Sequence, residues 1–205
     1  MQDSRLYFPA TERNSEPIAS TLYAWLPAEG AVLELASGSG EHAVCFQTRF
    51  PGLRWQASDP DPLHLESIRA WRAHADLQAS MPEPLRLDVR QWPWPLPADV
   101  ALDLQAVVVI NLLHIAPWDC AMALLAGASR LLPVGGLLIV YGPFRRHGAH
   151  TSDSNAAFDR SLRERNPLWG VRDLEAVEHL AGDSGFALEE VRSLPANNLC
   201  LLLRL

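Results

Sequence analysis

The sequence predicts an α/β fold: three layers, with a mostly parallel seven-stranded sheet, helices on both faces and an antiparallel hairpin at one edge. Three observations predict it. Apolar runs of strand length alternate with helical patterns along most of the chain. The run Leu104–Ile110 is rich in valine and lacks alternating polar residues, which is typical of a strand buried on both faces. Two final apolar runs, separated only by Pro195–Asn198, predict the hairpin.

Caps, prolines and apolar periodicity predict six helices. The first begins at Asn14 or Ser15, because Pro17 then falls in its first turn. Asp61 is placed to cap the third helix, which Pro62 starts. The predicted helices span about 14–26, 41–50, 62–79, 121–132, 155–165 and 174–184.

Strands are predicted where apolar runs are bounded by glycine, proline or polar residues. They span about 31–36, 53–58, 85–89, 104–110, 137–141, 186–194 and 199–205. In a parallel sheet a ligand lies beyond the carboxyl ends of the strands. Polar residues of this chain gather at those ends, which predicts a pocket there.

Length and composition limit the class of protein. The 205 residues, 48% of them hydrophobic, suit a single domain spanning 1–205. The net charge of −7 argues against nucleic acid as a partner. No apolar run approaches the ~18 residues of a membrane span, and the N-terminus lacks the features of a signal peptide. We therefore expect a cytoplasmic protein with no membrane partner.

The absence of lysine excludes several kinds of site. A Walker-A phosphate loop, a pyridoxal Schiff base and a lysine general base all require lysine, and every basic residue other than histidine is arginine here. The three cysteines are far apart in the chain. His147 and His150 have no neighbouring cysteine or carboxylate to complete a metal site, so we predict no metal.

A glycine turn follows the first predicted strand. Gly38–Ala43 satisfies the pattern G-x-G-x-x-G/A, which indicates a nucleotide-like ligand, although a purely structural turn is an alternative. The pattern alone cannot separate a dinucleotide from S-adenosylmethionine. Glu34, Asp59 and Asp88 lie at neighbouring strand ends, where they would repel a pyrophosphate and complement a sulfonium and an ammonium group. This charge pattern favours S-adenosylmethionine as the cofactor.

Individual roles follow from this hypothesis. We expect Asp59 to accept hydrogen bonds from both ribose hydroxyls. Asp88 would accept from the adenine amino group, while the backbone amide of Val89 donates to the ring. Arg13 would pair with the methionyl carboxylate; a surface ion pair with Glu12 or Glu16 is the alternative. The other predicted cofactor-binding residues are Asn14, Ala36, Ser37, Gly38, Gly40, His42 and Asn111.

Methyl transfer needs a base only for a weakly acidic acceptor. His114, just past the fourth strand, is the candidate base; the alternative is a histidine hydrogen-bonded within the loop. Asn111 is a second catalytic candidate, which would hold the substrate or the methionyl part, or simply form a turn. Neither choice can be made from the sequence.

The stretch 143–173 interrupts the alternating pattern before the last helix. It is locally basic in an acidic chain, so we expect an insert or lid that recognises an anionic small-molecule substrate, or else a solvated, salt-bridged surface. Residues 1–30 would form an N-terminal cap segment and helix. The candidate substrate-binding residues are Tyr141, Asn155, Arg163 and Trp169.

Several segments resemble known families. Glu34–Gly40 is similar to motif I of class I methyltransferases, E/D-x-G-x-G-x-G, with Ala36 at the first glycine. Nearly the whole chain resembles the DUF938 family, which includes the methyltransferase-like 26 proteins. The segments that carry this resemblance are 12–18, 35–42, Asn155 with 158–159, 165–173 and 194–198. The resemblance implies the Rossmann-like class I methyltransferase fold and S-adenosylmethionine binding, but no substrate.

Three functional hypotheses follow. The first is S-adenosylmethionine-dependent methyl transfer to a small molecule. The second is a non-catalytic cofactor-binding or regulatory protein of the same fold. The third, which the charge pattern disfavours, is an NAD-dependent oxidoreductase.

Overall fold

The computed structural model describes residues 3–205 as a three-layer α/β arrangement. The helices are α1 (Pro9–Trp25), α2 (Glu41–Arg49), α3 (Pro62–His74), α4 (Ala98–Leu102), α5 (Trp118–Leu131), α6 (Asp153–Arg165) and α7 (Leu174–Asp183). The strands are β1 (Gly30–Leu35), β2 (Leu53–Asp59), β3 (Leu85–Arg86), β4 (Leu104–Ile110), β5 (Leu137–Arg146), β6 (Ala149–His150), β7 (Arg172–Asp173), β8 (Ala187–Leu194) and β9 (Asn198–Arg204).

The main sheet has the strand order β3-β2-β1-β4-β5-β9-β8, with β6 and β7 pairing with β5 off this path. Strands β1 to β5 are all parallel to one another. Strand β9 runs antiparallel to both β5 and β8. The predicted mostly parallel sheet with an antiparallel edge hairpin is therefore confirmed.

Alternating side chains of the central strands serve two separate cores. Val32 of β1 and Val108 of β4 belong to the core under α1, α2 and α3. Leu33 and Val107, one position away in each strand, belong to the core under α5 and α7. Strands buried on both faces carry no polar alternation, which explains why β4 has the bounds that its sequence predicts.

The first helix begins earlier than predicted. Helix α1 starts at Pro9, whose fixed φ suits the first helical position, and Pro17 lies inside it. Pro17 removes only the bond to the carbonyl of Arg13, whose side chain is on the exposed face of the helix. The prediction that the first helix begins at Asn14 or Ser15 was therefore wrong.

Three other bounds differ for local reasons. Strand β3 is shorter than predicted because the Asp88 side chain accepts from the Arg90 amide and turns the chain. Helix α3 ends at His74, shortly before Asp76, which has φ 55°. Strand β5 is longer than predicted because its end pairs with His150 of β6 and with Arg172 of β7.

The stretch 143–173 is attached to the main sheet through these pairings and through one arginine. Arg172 donates from Nε to the carbonyl of Leu113 and from Nη2 to the carbonyl of Ala116, at 2.8 and 2.6 Å. Helix α6 occupies the middle of this stretch, close to the bounds predicted for it. The roles of an insert or lid, and the organisation of 1–205 as one domain, stay predictions.

No helix within residues 3–205 is long and apolar enough to cross a membrane.

The packing of α5 on Trp94 can be tested at Gly127. A Cβ at this position would lie 2.3 Å from Cζ2 of the buried Trp94 indole. We expect Gly127→Ala to lower the free energy of unfolding by about 1–3 kcal/mol through overpacking, measured by urea denaturation. The matched control is Gly182→Ala in α7, where no atom lies within 4 Å. It should gain up to about 1 kcal/mol from helix propensity; equal effects of the two variants would contradict the packing.

Candidate functional site

The candidate site lies where β1 and β2 end side by side. The Ser37 amide donates to the carbonyl of Ser58 at 2.9 Å, and the Ser58 hydroxyl donates to the carbonyl of Glu34 at 2.8 Å. The Gly38 amide donates to Oδ2 of Asp59 at 2.9 Å. These bonds fix the glycine turn to the carboxyl end of the neighbouring strand.

The turn depends on left-handed backbone at three positions. Gly38 and Gly40 have φ values of 57° and 90°. A Cβ on Gly40 would lie 2.8 Å from Cα of Ile68 in α3, so close helix packing also requires glycine there. Ala36 has φ 56° although it carries a Cβ. It occupies the position where the motif of class I methyltransferases has its first glycine.

A cleft of two adjoining cavities opens beside this turn. The larger has a volume of about 330 Å³ and the smaller about 290 Å³. Both are lined by Ala36, Pro60, Leu112 and Ile115. The larger is also lined by Phe8, Ala10, Thr11, Glu34, Ser37, Gly38, Ser39, His42, Asp59, Asp61, His64, Ile110 and Asn111. The smaller is also lined by Leu87, Asp88, Val89, Arg90, Pro117, Cys120 and Trp169.

Glu34 is the buried acid of the larger cavity. Its side chain is 1% exposed, and Oε2 accepts a 2.5 Å hydrogen bond from Nε1 of Trp55. Burial raises the pKa of Glu34 to about 8, and hydrogen bonds from Trp55 and Ser37 oppose this only in part. Glu34 is therefore mostly protonated at neutral pH in the unliganded protein.

Asp59, at the end of β2, is hydrogen-bonded on both oxygens. In addition to the Gly38 amide on Oδ2, Oδ1 accepts from the Asp61 amide and contacts Nδ1 of His64, each at 3.0 Å. Asp61 itself caps α3 through the Leu63 amide, as predicted. The carboxylate is 3% exposed and lines the cavity, so a ligand would meet a rigidly held acceptor.

Asp88 lines the smaller cavity next to its own cation. Its carboxylate accepts from Nε and Nη2 of Arg90, at 3.1 and 2.8 Å. Hydrogen bonds from the Arg90 side chain lower the pKa of Asp88. The negative charge that the sequence places at this strand end is therefore largely neutralised, and Glu34, which is mostly protonated, adds little charge at neutral pH.

Two predicted ligand residues contact each other in the interior, and a third, Tyr141, is also buried. Nε2 of His42 lies 2.8 Å from Oδ1 of Asn14. Burial lowers the pKa of His42 to about 4 and raises that of Tyr141. Only His42 of the three lines the cavity. The contact between Asn14 and His42 holds α1 against α2, and the neighbouring Arg13 side chain is exposed and outside the lining.

The two catalytic candidates are placed differently. Asn111 lines the larger cavity and has φ 60°. Its backbone amide donates a hydrogen bond to the Tyr141 carbonyl. His114 is 5% exposed, lies outside the lining of both cavities and packs edge-on against the ring of Phe158 at 5.5 Å. Burial, with smaller contributions from Arg172 and Arg165, lowers the pKa of His114 to about 4. Its ring is neutral at physiological pH but shielded from the cleft.

Most candidate substrate residues in the stretch 143–173 are bonded to protein groups. Asn155 donates to the Thr151 hydroxyl and to the Asn197 carbonyl, at 3.1 and 3.0 Å. Arg163 pairs with the buried Asp159 through a 3.0 Å bond. Neither lines the cleft, whereas Trp169 lines its smaller cavity. Their roles in substrate binding stay predictions.

The structure thus brings together one part of the predicted site. Glu34, Ala36, Ser37, Gly38, His42, Asp59 and Asn111 line the larger cavity, and Asp88, Val89 and Trp169 line the smaller. Arg13, Asn14, Gly40, His114, Tyr141, Asn155 and Arg163 line neither. Within residues 3–205 no group of histidine, cysteine and acidic residues is placed to hold a metal ion.

Several lining residues were missed by sequence reasoning. Phe8 and Thr11 precede the predicted start of the first helix, in residues that were assigned only generally to an N-terminal cap segment. Pro9 at the start of a helix was the signal that could have placed them. His64 follows the Asp61–Pro62 helix start by one turn or less, and no sequence pattern connects it to Asp59.

The sequence matches the profile of one family, described as a protein of unknown function (DUF938), over residues 5–204. The chain belongs to the DUF938 family. The match covers all of the lining residues, so the candidate site lies within the part that defines the family.

Solved structures with the same fold are methyltransferases by name. A putative O-methyltransferase from Nostoc punctiforme superposes with a TM-score of 0.81 and 17% identity, over 96% of this chain and 57% of that one. An O-methyltransferase family 2 protein from Planctomyces limnophilus gives 0.77 and 18%, over 96% and 60%. Human N-acetylserotonin methyltransferase gives 0.73 and 16%, over 95% and 52%. This DUF938 chain spans little more than half the length of these proteins, and at such identities the likeness establishes the Rossmann-like fold.

The protonation of Glu34 gives a prediction for stability against pH. A carboxyl with a raised pKa stabilises the fold fully below its unfolded pKa of about 4.5, and this contribution is lost as pH rises toward 8. His42 and His114, whose pKa values are lowered, act only below about pH 6.5. We expect the free energy of unfolding to fall between about pH 6.5 and 8, by up to ~1.4 kcal/mol per pH unit.

Urea denaturation at several pH values in this interval measures the slope. Glu34→Gln should flatten it, because glutamine does not ionise. The exposed Glu66→Gln is the matched control and should keep the slope of the unsubstituted protein. Parallel slopes for all three proteins would contradict the raised pKa of Glu34.

Proposed function

We propose that this protein binds S-adenosylmethionine in the cleft and transfers its methyl group to a small-molecule acceptor. The observation that carries the proposal is the acidic lining of the larger cavity, which has no cation of its own. Asp59 and Asp61 line it together with the buried, mostly protonated Glu34, and none of its lining residues is an arginine. A pyrophosphate would meet acids without a cation to bind it, whereas a sulfonium and an ammonium group complement them.

Named neighbours support the cofactor. The structure of human N-acetylserotonin methyltransferase was determined in complex with S-adenosylmethionine, and that of PigF with S-adenosylhomocysteine. The Planctomyces limnophilus protein was determined in complex with apigenin, a small molecule. These facts concern the neighbours; for the DUF938 chain they support the choice of cofactor and of acceptor class.

The geometry suggests how each part of the cofactor is held. Asp59, fixed to the turn and to α3, would accept the ribose hydroxyls. The smaller cavity would hold the adenine, with Asp88 and the Val89 amide as polar partners and Leu112 and Ile115 against the ring. Glu34 would then face the positively charged methionyl end from the larger cavity. Since Asp88 already binds Arg90, adenine would have to share its carboxylate.

Methyl transfer in this site would depend on positioning and exclusion of water. Both lining histidines already contact protein groups, His42 through Asn14 and His64 through Asp59. His114 lies outside the lining. We therefore propose an acceptor whose atom is nucleophilic without an enzyme base, such as a readily ionised oxygen or sulfur or a neutral amine.

The same observation keeps a second candidate function. A fold that binds the cofactor but has no base beside it also suits a non-catalytic cofactor-binding or regulatory protein. Turnover distinguishes the two candidates.

Calorimetry and thermal shift test the cofactor. S-adenosylmethionine and S-adenosylhomocysteine should raise the melting temperature, and NAD should not, because of the acids in the cavity. Asp59→Ala should weaken binding by about 10- to 100-fold, the loss expected for charged hydrogen bonds to two hydroxyls. The exposed Asp103→Ala is the matched control and should bind normally. Stabilisation by NAD alone, or unchanged affinity in Asp59→Ala, would contradict this assignment.

A radiolabelled methyl donor incubated with fractionated cell extract tests the reaction. We expect label to enter the small-molecule fraction with the unsubstituted protein and with Asp103→Ala, and to be reduced with Asp59→Ala. Label found only in macromolecules would overturn the small-molecule acceptor. Cofactor binding without any incorporation would favour the non-catalytic candidate.

A further inference from the structure

Residues Arg5–Phe8, here called the N-terminal strap, cross from α3 to the glycine turn. The Leu6 amide donates to the Ser67 hydroxyl at 2.8 Å, and Nε1 of Trp71 donates to the Leu6 carbonyl at 2.9 Å. The Arg5 guanidinium lies 4.9 Å from the centre of the Trp71 ring, and the centre of the Tyr7 ring lies 5.0 Å from the centre of the Trp71 ring. The strap is therefore held on α3 by two hydrogen bonds and by aromatic contacts.

Phe8, the last residue of the strap, reaches the cavity. Its amide donates to Oε2 of Glu41 at 2.8 Å, and its ring lies 5.8 Å from the ring of His64. A Cβ on Gly38 would lie 3.0 Å from Cε2 of Phe8, so the ring lies directly over the glycine turn. Phe8 lines the larger cavity.

Both strap amides bind groups that also hold Ser39 of the turn. The Ser67 hydroxyl accepts from Leu6 and donates to the Ser39 carbonyl at 2.6 Å. Oε2 of Glu41 accepts from Phe8 and from the Ser39 hydroxyl at 2.7 Å. A change in the conformation of the turn at Ser39 would thus reach the strap through two shared hydrogen-bonding groups.

The strap also has few buried apolar contacts. Leu6, Tyr7 and Phe8 are 36%, 58% and 40% exposed, so their undocking brings little additional apolar surface into water. The larger cavity is bounded elsewhere by the strand ends, the start of α1, the connection after β4, and α2 and α3, which are packed into the core. Elements with few buried contacts are the ones that open locally while the core stays folded.

We propose that the N-terminal strap is the cover of the cofactor cavity and that Phe8 is a cofactor-contacting residue that controls ligand release. The ligand enters and leaves when Phe8 lifts from Gly38, and the strap closes over the bound ligand. This proposal rests on the proposed function, since it specifies how the same site exchanges S-adenosylmethionine and S-adenosylhomocysteine.

Stopped-flow displacement of S-adenosylhomocysteine from the full chain tests the cover. We expect Phe8→Ala to increase the dissociation rate constant at least about tenfold, because it removes the apolar ring that lies over Gly38 and would cover the bound ligand. Leu6→Pro, which removes the amide that binds Ser67, should also accelerate release and guards against a folding defect in the first variant. The matched control is Tyr23→Ala, an aromatic residue 80% exposed on α1, which should leave release unchanged.

Hydrogen exchange provides a readout that a merely structural role of Phe8 would not change. The amides of Leu6 and Phe8 should exchange more slowly when S-adenosylhomocysteine is bound, while the helix amides around Tyr23 are unaffected. Binding of this ligand with equal release rates in all variants and unchanged exchange at the strap would overturn the cover and leave the proposed function intact. Failure of the unsubstituted protein to bind either ligand would overturn both.

Discussion

The attachment of the glycine turn to the end of β2 is the constraint on which the site depends. Ser37 and Ser58 exchange hydrogen bonds across the strand ends, and the Gly38 amide is held by Asp59. The attachment directs Ser37–Ser39 into the cleft and lets α2 begin one residue after Gly40. It also presents Ser39 to the groups that hold the N-terminal strap. Without this attachment, the cavity would lose the turn that lines it and the Ser39 contacts that hold the N-terminal strap.

The interior of the fold and the polar strand ends could be predicted because local pattern and tertiary context agree there. Strand β4 is apolar except for Gln105, and its bounds are those predicted. The glycines of the turn indicate left-handed backbone by their residue type. Asp59 could be placed at a strand end because it comes directly after a predicted strand. Ala36 has a left-handed backbone conformation, and only its place at the first glycine of the methyltransferase motif indicates this. The same apolar pattern predicts that residues such as Val108 are buried in the core.

The remainder of the site could not be predicted because it depends on which side chains meet across the fold. Pairing of Asp88 with Arg90 removes a charge that the sequence counts as free. His114 and Asn14 are polar residues predicted to act in the site, yet both side chains are turned into buried contacts. Arg172 looks like a surface cation in the sequence, but it binds the backbone of the β4–α5 connection and so ties the stretch 143–173 to the cleft wall. No periodicity or spacing encodes these pairings.

Glu34 has a consequence for the energetics of turnover. A carboxyl buried against Trp55 carries a proton while the cavity holds no cation, and a cation placed beside it favours the ionised form. If S-adenosylmethionine is the cofactor, as proposed, Glu34 would lose its proton when the sulfonium binds and regain it once methyl loss leaves a neutral thioether. The relative affinity of the site for S-adenosylmethionine and S-adenosylhomocysteine would then depend on pH. An acid of this kind lets one cavity accept a charged and an uncharged form of nearly the same molecule.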